Sequence, residues 1–401
     1  MVKAVEIKKH YKKTEVGIIP VDWEVTELAE LANIKTGPFG SALHEKDYVD
    51  DGTPIITVEH LSEQGVVHEK LPMVSDFDKN RLKAYTLKKG DIVFSRVGSV
   101  DRNSLIEEKE NGWLFSGRLL RVRITTTNIS SNYLSYHFHQ EATKQRIRSV
   151  AVGQTMASLN TQILKTIVVA FPPTKTEQAS IATALNDADK LIAALEKLIA
   201  KKRAIKQGAM QELLKPKERW EVKTIDELTE CLDNLRVPLN ETQRNMMRGA
   251  YPYCGANGVL DYINDYRIDD EVILIAEDGG YFDQYAARPI AYLMKGKIWV
   301  NNHAHVLKAK PDNDQSFIFY SLVHKNILTY LASGTRAKLN KSEMYKIEIN
   351  IPKEKSEQTR IAQILSDMDT EIEALEKKLE KYKMLKQGMM QNLLTGRIRL
   401  I

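Results

Sequence analysis

The chain has 401 residues, 43% of them hydrophobic, and a formal net charge of +5 at pH 7. A chain of this length and apolar content is expected to form two or more domains with hydrophobic cores. The small net charge excludes a protein that binds nucleic acid through bulk positive charge, so DNA binding would need local basic patches.

The sequence carries no signal for a membrane or for secretion. It has no run of about 18 apolar residues, which a membrane-spanning helix would need. Residues 1–20 form a basic N-terminal segment without a hydrophobic signal region. Cys231 and Cys254 form no Cys-x-x-Cys pair and fit a reducing compartment. We therefore expect a cytoplasmic protein with no membrane partner.

Residues 21–170, called module 1 below, have the pattern of a mixed α/β domain. Short β-branched runs at 54–58, 91–94 and 122–124 alternate with turn residues and predict strands. A helical stretch follows at about 131–149. We expect these elements to form a curved sheet with helices packed on it.

Module 1 contains two groups of basic side chains that suit phosphate contacts, which position a protein on DNA without reading its sequence. One group is Arg121 and Arg123 on one face of a predicted strand, with Arg118 nearby, and the other is Lys144, Arg146 and Arg148 at the end of the predicted helix. A solvated basic face is the alternative for each residue. Base reading needs forked donors and acceptors, and the candidates for it are Ser95, Arg96, Arg102 and Gln154.

Residues 171–215 predict a long helix. Apolar residues recur from Ile181 to Ile199 with the 4-3-4-3-4 spacing of a coiled-coil stripe. Thr176 is the predicted N-cap of this helix and Ser356 that of the second helix. Leu191, Leu198 and Ile205 are expected to widen the stripe. Gly208 costs about 1 kcal/mol relative to Ala inside a helix, so it indicates close backbone packing, a docking site for a partner helix, or the helix end.

Residues 216–351, called module 2, form a second predicted domain. A buried strand is predicted at 271–276 and a helical stretch at about 314–333. The two modules begin alike, at Trp23-Glu24-Val25 and Trp220-Glu221-Val222, but their middles do not match. The plan is a variable module, a helix, a second variable module and a second helix.

Candidate DNA contacts in module 2 lie in its loops and at its C-terminal end. The phosphate candidates are Arg336, Lys338 and Lys341, and the base-reading candidates are Arg236, Asn257, Tyr281, Asn301, Asn302 and His303. A turn or capping role is the alternative for each. His303 and His305 would also share one strand face as a pair of metal ligands, but no neighbouring Cys/His/Asp cluster in the sequence completes a metal shell. We therefore predict no metal.

The second helix, within residues 352–401, repeats the first. Pro352 to Leu394 matches Pro172 to Leu214 at a constant offset of 180, with 22 identities in 43 positions and no gap. Such a repeat signals two copies of one structural unit. The stripes predict an antiparallel coiled coil between the copies, and two amphipathic helices on separate cores are the alternative. The predicted stripe residues are Ile181, Leu185, Ile192, Leu195 and Ile199, and Ile361, Leu365, Met368, Ile372, Leu375 and Leu379.

The sequence resembles a known family, the specificity subunits of type I restriction–modification systems. The resemblance rests on Gly17 to Val25 (GIIPVDWEV), Gly90 to Gly98 (GDIVFSRVG), the twin Lys-Gln-Gly-x-Met-Gln-x-Leu-Leu motifs at 206–214 and 386–394, and the tail from Leu394 to Arg399. It covers nearly the whole chain. Tyr251 to Gly258 and Ala276 to Gly279 are also similar to a common target-recognition domain of that family.

The resemblance implies a non-catalytic reader of double-stranded DNA with an α+β fold. Two target-recognition domains, separated by a pair of long antiparallel coiled-coil helices with pseudo-twofold symmetry, would each bind half of an asymmetric, interrupted site. The helices would set the spacer and dock two methyltransferase subunits, and restriction subunits would complete the assembly. S-adenosylmethionine, ATP and Mg²⁺ would then belong to the partner chains, and this chain would hold no cofactor.

Two other classes of protein remain as alternatives. One is a stand-alone metal-dependent nuclease that uses residues 301–305. The other is a scaffold whose coiled coil joins proteins and whose modules bind peptides. The sequence argues against an ATPase of the phosphate-loop type, since it has no G-x-x-x-x-G-K-[ST] motif.

Overall fold

The computed structural model describes residues 10–38, 43–153, 157–332 and 337–401. The chain divides into two compact units, Met1–Glu196 with Lys378–Ile401 (unit 1), and Lys197–Lys377 (unit 2). Unit 1 therefore combines module 1 with the first part of one long helix and the last part of the other. None of the helices in these ranges has both the length and the apolar character that crossing a bilayer requires.

Unit 1 is built around two four-stranded sheets, with strand orders β11-β10-β13-β4 and β12-β6-β9-β5. Its strands are β1 (Tyr11–Thr14), β2 (Gly17–Pro20), β3 (Glu24–Glu27), β4 (Ala32–Thr36), β5 (Tyr48–Val49), β6 (Thr53–Ile56), β7 (Leu61–Ser62), β8 (Gly65–Val66), β9 (Met73–Val74), β10 (Ile92–Ser95), β11 (Asn103–Leu105), β12 (Leu114–Phe115), β13 (Leu119–Ile124) and β14 (Val168–Phe171). Its helices are α1 (Leu28–Leu31), α2 (Asp76–Arg81), α3 (Ser131–His139), α4 (Glu141–Val150), α5 (Thr161–Lys165) and the long α6 (Lys175–Leu213), which continues into unit 2. The three strands predicted in module 1 correspond to β6, β10 and β13.

The helical stretch predicted at about 131–149 forms two helices, with a break between them. Gln140 has an extended backbone, with φ −65° and ψ 132°, and separates α3 from α4. This break lets α3 lie on the sheet, where the Phe138 ring meets Phe94 of β10 edge-on at 4.8 Å between centroids. Both rings are fully buried in the core of unit 1.

Two buried histidines near the end of α3 predict acid sensitivity. Burial lowers the pKa of His137 to about 3 and that of His139 to about 4. Because an unfolded histidine titrates near 6.5, unfolding takes up protons below that pH, and stability that is complete above pH 6.5 is lost as the pH falls toward 4. At about 1.4 kcal/mol per pKa unit, the two groups together should remove several kcal/mol.

Urea unfolding of the chain between pH 4.5 and 7.5 measures this loss. We expect His137→Gln to flatten the dependence of the free energy of unfolding on pH, since glutamine takes up no proton. His324→Gln, at an exposed position, is the control and should leave the slope as in the wild type. A wild-type slope that persists in His137→Gln would contradict the assignment.

Unit 2 is built around one six-stranded sheet with the order β16-β21-β19-β20-β17-β18. Its strands are β15 (Trp220–Thr224), β16 (Thr229–Cys231), β17 (Arg248–Gly255), β18 (Gly258–Ile263), β19 (Ile268–Ala276), β20 (Ala291–Val300), β21 (Ala304–Ala309) and β22 (Glu348–Pro352), and its helices are α7 (Ile225–Leu228), α8 (Glu241–Met246), α9 (Gln315–Leu322), α10 (Lys341–Met344) and the long α11 (Lys355–Leu393), which continues into unit 1. The predicted strand at 271–276 is the buried half of β19. The helix predicted at 314–333 ends at Leu322, and a 3-10 turn at Leu328–Tyr330 follows.

The long helices α6 and α11 each contain 39 residues and pair in opposite directions within each unit. In unit 1 the ion pairs are Asp189–Lys386 (2.6 Å) and Glu196–Lys383 (3.0 Å). In unit 2 they include Lys202–Glu371 (2.7 Å) and Arg203–Glu376 (2.6 Å). The predicted antiparallel pairing is confirmed.

The predicted stripe is largely buried on both helices, and its ends, Ile181 and Leu185 of α6 and Ile361 and Leu365 of α11, belong to the hydrophobic cores of units 1 and 2. All five stripe residues of α6, and Ile361, Leu365, Ile372 and Leu379 of α11, are buried, whereas Met368 and Leu375 are partly buried. A second row of apolar residues on α6 was expected to widen the stripe, but the side chains of this row are 38% to 46% exposed. That row is Leu191, Leu198 and Ile205.

Three smaller predictions about the long helices are wrong. The helices begin at Lys175 and Lys355, so Thr176 and Ser356 lie inside the first turn, and the backbone N–H of Glu177 instead donates to Thr174 Oγ1 at 3.3 Å. Gly208 and Gly388 do not end the helices, which continue for five more residues. Nor do they serve close packing within the chain, since a Cβ at either position would meet no atom of another described segment within 4 Å. Docking of partner helices at these glycines stays a prediction.

The C-terminal tail is held to unit 1 by a buried ion pair. Arg399 binds Glu177, whose side chain is only 1% exposed, and also binds Asp22 at 2.9 Å. Removing one partner of a buried pair leaves an uncompensated charge. We expect Arg399→Met to lower the free energy of unfolding by about 2–3 kcal/mol, below the usual loss because Arg399 is partly exposed. Arg397→Met, at an exposed position, should change it by less than about 0.5 kcal/mol in the same urea titration.

Candidate nucleic-acid interface

The backbones of three arginines of module 1 lie side by side at the end of strand β10. The backbone N–H of Ser95 donates to the carbonyl of Arg102 at 2.8 Å, and the N–H of Arg96 donates to the carbonyl of Arg118 at 2.9 Å. Ser95, the last residue of β10, and Arg96 directly after it therefore pair with the backbones of two arginines that are distant in sequence. We call Arg96, Arg102 and Arg118 the arginine cluster.

Two arginines of the cluster are available to bind an anion. Arg102 and Arg118 are exposed, and within the described ranges neither is paired with an acidic side chain. Exposed guanidinium groups without acidic partners attract phosphate and can also donate two parallel hydrogen bonds to guanine. The cluster is thus the strongest candidate for DNA contact in module 1.

A second segment of the chain reaches the arginine cluster. Val97 and Ser158 form an isolated antiparallel bridge, and the N–H of Leu159 donates to the carbonyl of Arg96 at 2.8 Å. Gly153 lies on the same segment with φ +122°, a backbone conformation that favours glycine. Gln154 itself lies outside the described residues.

The remaining described candidates of module 1 already have partners within the protein. The Arg121 side chain is buried and donates to Asn33 at 3.0 Å, and Arg123 forms two hydrogen bonds with Asp91 at 2.6 and 2.7 Å. The others have comparable contacts: Lys144 with Glu63, Arg148 with Asp101 and Glu141, Arg146 with Thr143, and buried Ser95 with the carbonyl of Val97. These contacts account for the side chains without DNA, so the structure does not gather them with the arginine cluster.

Module 2 has the same frame at the end of strand β19. Asp278 and Lys338 form the matching isolated bridge, and the N–H of Leu339 donates to the carbonyl of Glu277 at 2.7 Å. The loop that begins at Glu277 is therefore the structural counterpart of the loop that begins at Arg96. The two modules have dissimilar middle sequences, yet each has a loop that begins at the same position of its backbone.

The loop of module 2 differs in its charges. Glu277 accepts from Arg236 at 2.6 Å and pairs with Lys338 at 2.9 Å. Burial alone would raise the pKa of Glu277, but the hydrogen bonds from Arg236 and Lys338 outweigh it, and the pKa is lowered. Asp278 holds the His303 ring at 2.5 Å. We call Arg236, Glu277, Asp278, His303 and Lys338 the mixed-charge cluster.

Several other candidates lie beside the mixed-charge cluster. Asn257 Nδ2 donates to the carbonyl of Gly279 at 2.9 Å, and the carbonyl of Asn302 lies 3.4 Å from Arg236 Nη1. The Tyr281 ring stacks on Arg288, with the guanidinium 3.2 Å from the ring centroid. Asn301 is buried and accepts from the N–H of His303 at 2.8 Å, which is the turn role given as its alternative.

Two candidates of module 2 remain. Lys341 lies 5.5 Å from the centroid of the Tyr345 ring, and Arg336 lies outside the described residues. Glu277 and Asp278 were recognised from the sequence only as part of the resemblance to a target-recognition domain and were not named as candidates for DNA contact. One feature of the sequence could have identified them. Both acids directly follow a predicted buried strand, where side chains leave the core and enter a loop.

His303 and His305, the possible pair of metal ligands, do not share a site. His303 binds Asp278, whereas the buried His305 ring contacts Asp233 at 2.7 Å and the carbonyl of Leu339 at 2.8 Å. The sequence predicted no neighbouring cluster, but Cys231, Asp233 and His305 have ligand atoms within 4.8 Å of one another.

This second cluster fits a structural role better than a metal. Arg236 lies 3.0 Å from Asp233, where it would repel a cation. Burial and the charge of Asp233 raise the pKa of Cys231 to about 11, and both ring nitrogens of His305 are already engaged, by Asp233 and by the carbonyl of Leu339.

Comparison with known proteins agrees with the duplicated arrangement. Residues 20–207 and 217–383 each match the family model described as the type I restriction modification DNA specificity domain. A putative type I restriction enzyme MjaX specificity subunit from Methanocaldococcus jannaschii is 30% identical over 428 residues, which cover 98% of this chain and 97% of that protein. The chain belongs to the type I restriction–modification specificity subunit family.

Solved structures show that the chain shares the fold of specificity subunits. The crystal structure of the S subunit of a type I restriction–modification system from M. genitalium superimposes with a TM-score of 0.66 at 15% identity, covering 97% of this chain and 98% of that one. A chain from a study of complex assembly and conformational transition of the type I R-M system gives a TM-score of 0.56 at 12% identity, covering 95% and 99%. The family model describes a DNA specificity domain rather than a catalytic one.

Proposed function

We propose that this specificity subunit reads a bipartite, asymmetric DNA sequence, with one half bound by each module. The observation that carries the proposal is the shared loop frame. Arg96 and Glu277 occupy equivalent backbone positions, yet one opens a cationic loop and the other a mixed-charge loop. Two loops that occupy the same position in their modules but carry different side chains are suited to reading two different half-sites.

The chemistry of the two loops supports different base preferences. The arginine cluster offers guanidinium groups, which pair with the O6 and N7 atoms of guanine and with phosphates. The mixed-charge cluster adds carboxylates, which accept from the amino group of cytosine, and it lies beside Asn257, whose side-chain type reads adenine. The half-site of module 1 is therefore expected to be the richer in guanine contacts.

The duplicated helices support a second part of the proposal. Two copies of one helix motif on one chain suit two copies of one partner, and we propose that these partners are two methyltransferase subunits, with restriction subunits joining the larger assembly. A related fold comes from a study of type I complex assembly. S-adenosylmethionine, ATP and Mg²⁺ are then held by the partner chains, and the whole assembly works in the cytoplasm.

Mapping of methylated positions tests the proposed function. A host carrying the methyltransferase partner is sequenced with and without this chain, and modified adenines or cytosines are located genome-wide. We expect one interrupted motif with two dissimilar halves, present only when this chain is expressed. A continuous motif, or methylation that does not depend on this chain, would contradict the proposal.

A further inference from the structure

Each long helix holds its module through a buried glutamine. In unit 1, Gln178 Oε1 accepts from the backbone N–H of Ser130 at 2.8 Å. In unit 2, Gln358 Oε1 accepts from the backbone N–H of Asp314 at 2.8 Å. Ser130 and Asp314 are the N-caps of α3 and α9, so both glutamines bind the start of a module helix.

A second contact repeats farther along each long helix. Tyr136 Oη donates to Asp189 Oδ2 at 3.0 Å, and Tyr320 Oη donates to Asp369 Oδ2 at 2.7 Å. Each tyrosine lies six residues after the N-cap of its module helix, and each aspartate lies eleven residues after its glutamine. Burial and the charge of Asp189 raise the pKa of Tyr136, so its hydroxyl keeps the proton that it donates.

The other long helix completes both contacts. Lys386 of α11 pairs with Asp189 at 2.6 Å in unit 1, and Lys206 of α6 pairs with Asp369 in unit 2. Each aspartate therefore binds its module through a tyrosine and the opposite long helix through a lysine. Within unit 1 the side chains of Asp189 and Lys386 are each only 13% exposed.

We propose that these contacts form two matched clamps, in which Tyr136 and Tyr320 are positioning residues that fix the direction of each recognition module on the paired helices. Clamp 1 is Tyr136, Gln178, Asp189 and Lys386, and clamp 2 is Tyr320, Gln358, Asp369 and Lys206. The inference rests on the proposed function, because module direction matters for DNA only if both loops must reach one duplex.

Geometry explains why two contacts are needed. Eleven residues of α-helix span about 16 Å, so the glutamine and the aspartate hold the module helix at two separated points. One point alone would leave the module free to pivot about it. Attachment itself does not need the tyrosine hydroxyl, because Ile181 and Leu185 of α6 already belong to the hydrophobic core of module 1.

The duplication also shows what the long helices require of a module. The clamp residues of the helices recur at an offset of 180, whereas the tyrosines recur at 184, because they belong to modules with different sequences. What the modules share is a capped helix with a tyrosine six residues after the cap. The paired helices can therefore hold dissimilar recognition modules, provided that each module has a capped helix with a tyrosine six residues after the cap.

Hydrogen exchange of the free chain tests the clamps without DNA. We expect Tyr136→Phe to raise amide exchange in α3 roughly tenfold, the usual effect of losing one hydrogen bond to a charged group, while α9 exchanges as in the wild type. Tyr320→Phe should do the reverse. Exchange that is unchanged in both module helices would overturn the proposal.

Spacer discrimination of the complex with its methyltransferase subunits tests the positioning role. The ratio of affinity for the cognate spacer to affinity for spacers one base pair longer or shorter should fall at least about threefold in Tyr136→Phe and Tyr320→Phe, because a tilted module meets its half-site less well. The matched control is Tyr133→Phe, since the Tyr133 hydroxyl bonds to the carbonyl of Ala170 inside module 1. That variant should lower the melting temperature and leave the ratio unchanged.

The two experiments distinguish failure of the clamp proposal from failure of the proposed function. If Tyr136→Phe lowers only the melting temperature, as Tyr133→Phe does, the positioning role is refuted. If the wild-type complex binds no interrupted site, the proposed function fails, and hydrogen exchange still decides whether the clamps hold the modules.

Discussion

Replacing Arg102 and Arg118 together with glutamine should weaken DNA binding about 100-fold, because each arginine contact with a base or phosphate contributes about 1–3 kcal/mol. Both side chains are exposed at the end of β10, and neither has an acidic partner within the described ranges. The slope of log affinity against log salt should also fall by up to about two, since each phosphate contact releases close to one counterion.

A double variant with the same change in charge is the control for this experiment. Lys70 and Lys109 of module 1 are also exposed but lie outside the arginine cluster, so Lys70→Gln with Lys109→Gln lowers the net charge equally. Gel-shift titrations at several salt concentrations, with the partner subunits present, should show less than about a fivefold loss for this control. Equal losses in the two double variants would show that general charge, and not the cluster, binds DNA.

Lengthening both long helices by one heptad should change the spacer of the recognised site and leave its two halves intact. Seven residues add about 10.5 Å to an α-helix, the length of about three base pairs of DNA. The insertions belong after Glu196 and after Lys377, where the chain passes from one unit to the other. Duplicating Leu191–Lys197 and Ile372–Lys378 keeps the apolar stripe continuous in both helices.

Methylation mapping of the lengthened variant measures the outcome directly. We expect the same two half-sites, separated by about three more base pairs. Insertion of the heptad in α6 alone is the control, because it shifts one stripe past the other and should destabilise the chain instead of shifting the spacer. A spacer that stays at its original length in the doubly lengthened variant would refute the role of the helices as a ruler.

The sequence predicted the long helices well because their signals are local. A heptad stripe is set by the spacing of apolar residues along one segment, and the repeat at an offset of 180 showed that the partner stripe lies on the same chain. Helix ends were less accurate. Thr174 caps α6 where Thr176 was predicted, since several neighbouring polar residues can supply a capping oxygen and only the fold selects one.

The candidate site was predicted only in part, because it depends on contacts between distant segments. Arg96 and Arg118 lie 22 positions apart in sequence and meet through a backbone hydrogen bond at the end of β10, whereas Arg121 and Arg123 follow Arg118 closely and point to internal partners. Residue type and spacing do not distinguish these cases. The pairing of strands does, and a single sequence does not reveal it.

The clamps were missed for a different reason. Tyr136 and Tyr320 lie in modules that do not align, so no repeat drew attention to them. The clue was the distance of each tyrosine from a helix-capping residue, Ser130 or Asp314, and that cap is identified only once the helix start is known.

The composition of unit 1 has a consequence for synthesis on the ribosome. Unit 2 is a continuous stretch, whereas unit 1 needs residues 378–401 to meet residues made much earlier. During translation the first-made module must therefore wait for the last-made helix before Arg399 can bind Glu177 and the core around Leu393 can close. A prematurely terminated chain would keep that apolar surface uncovered, which marks it for proteolysis before it could enter an assembly.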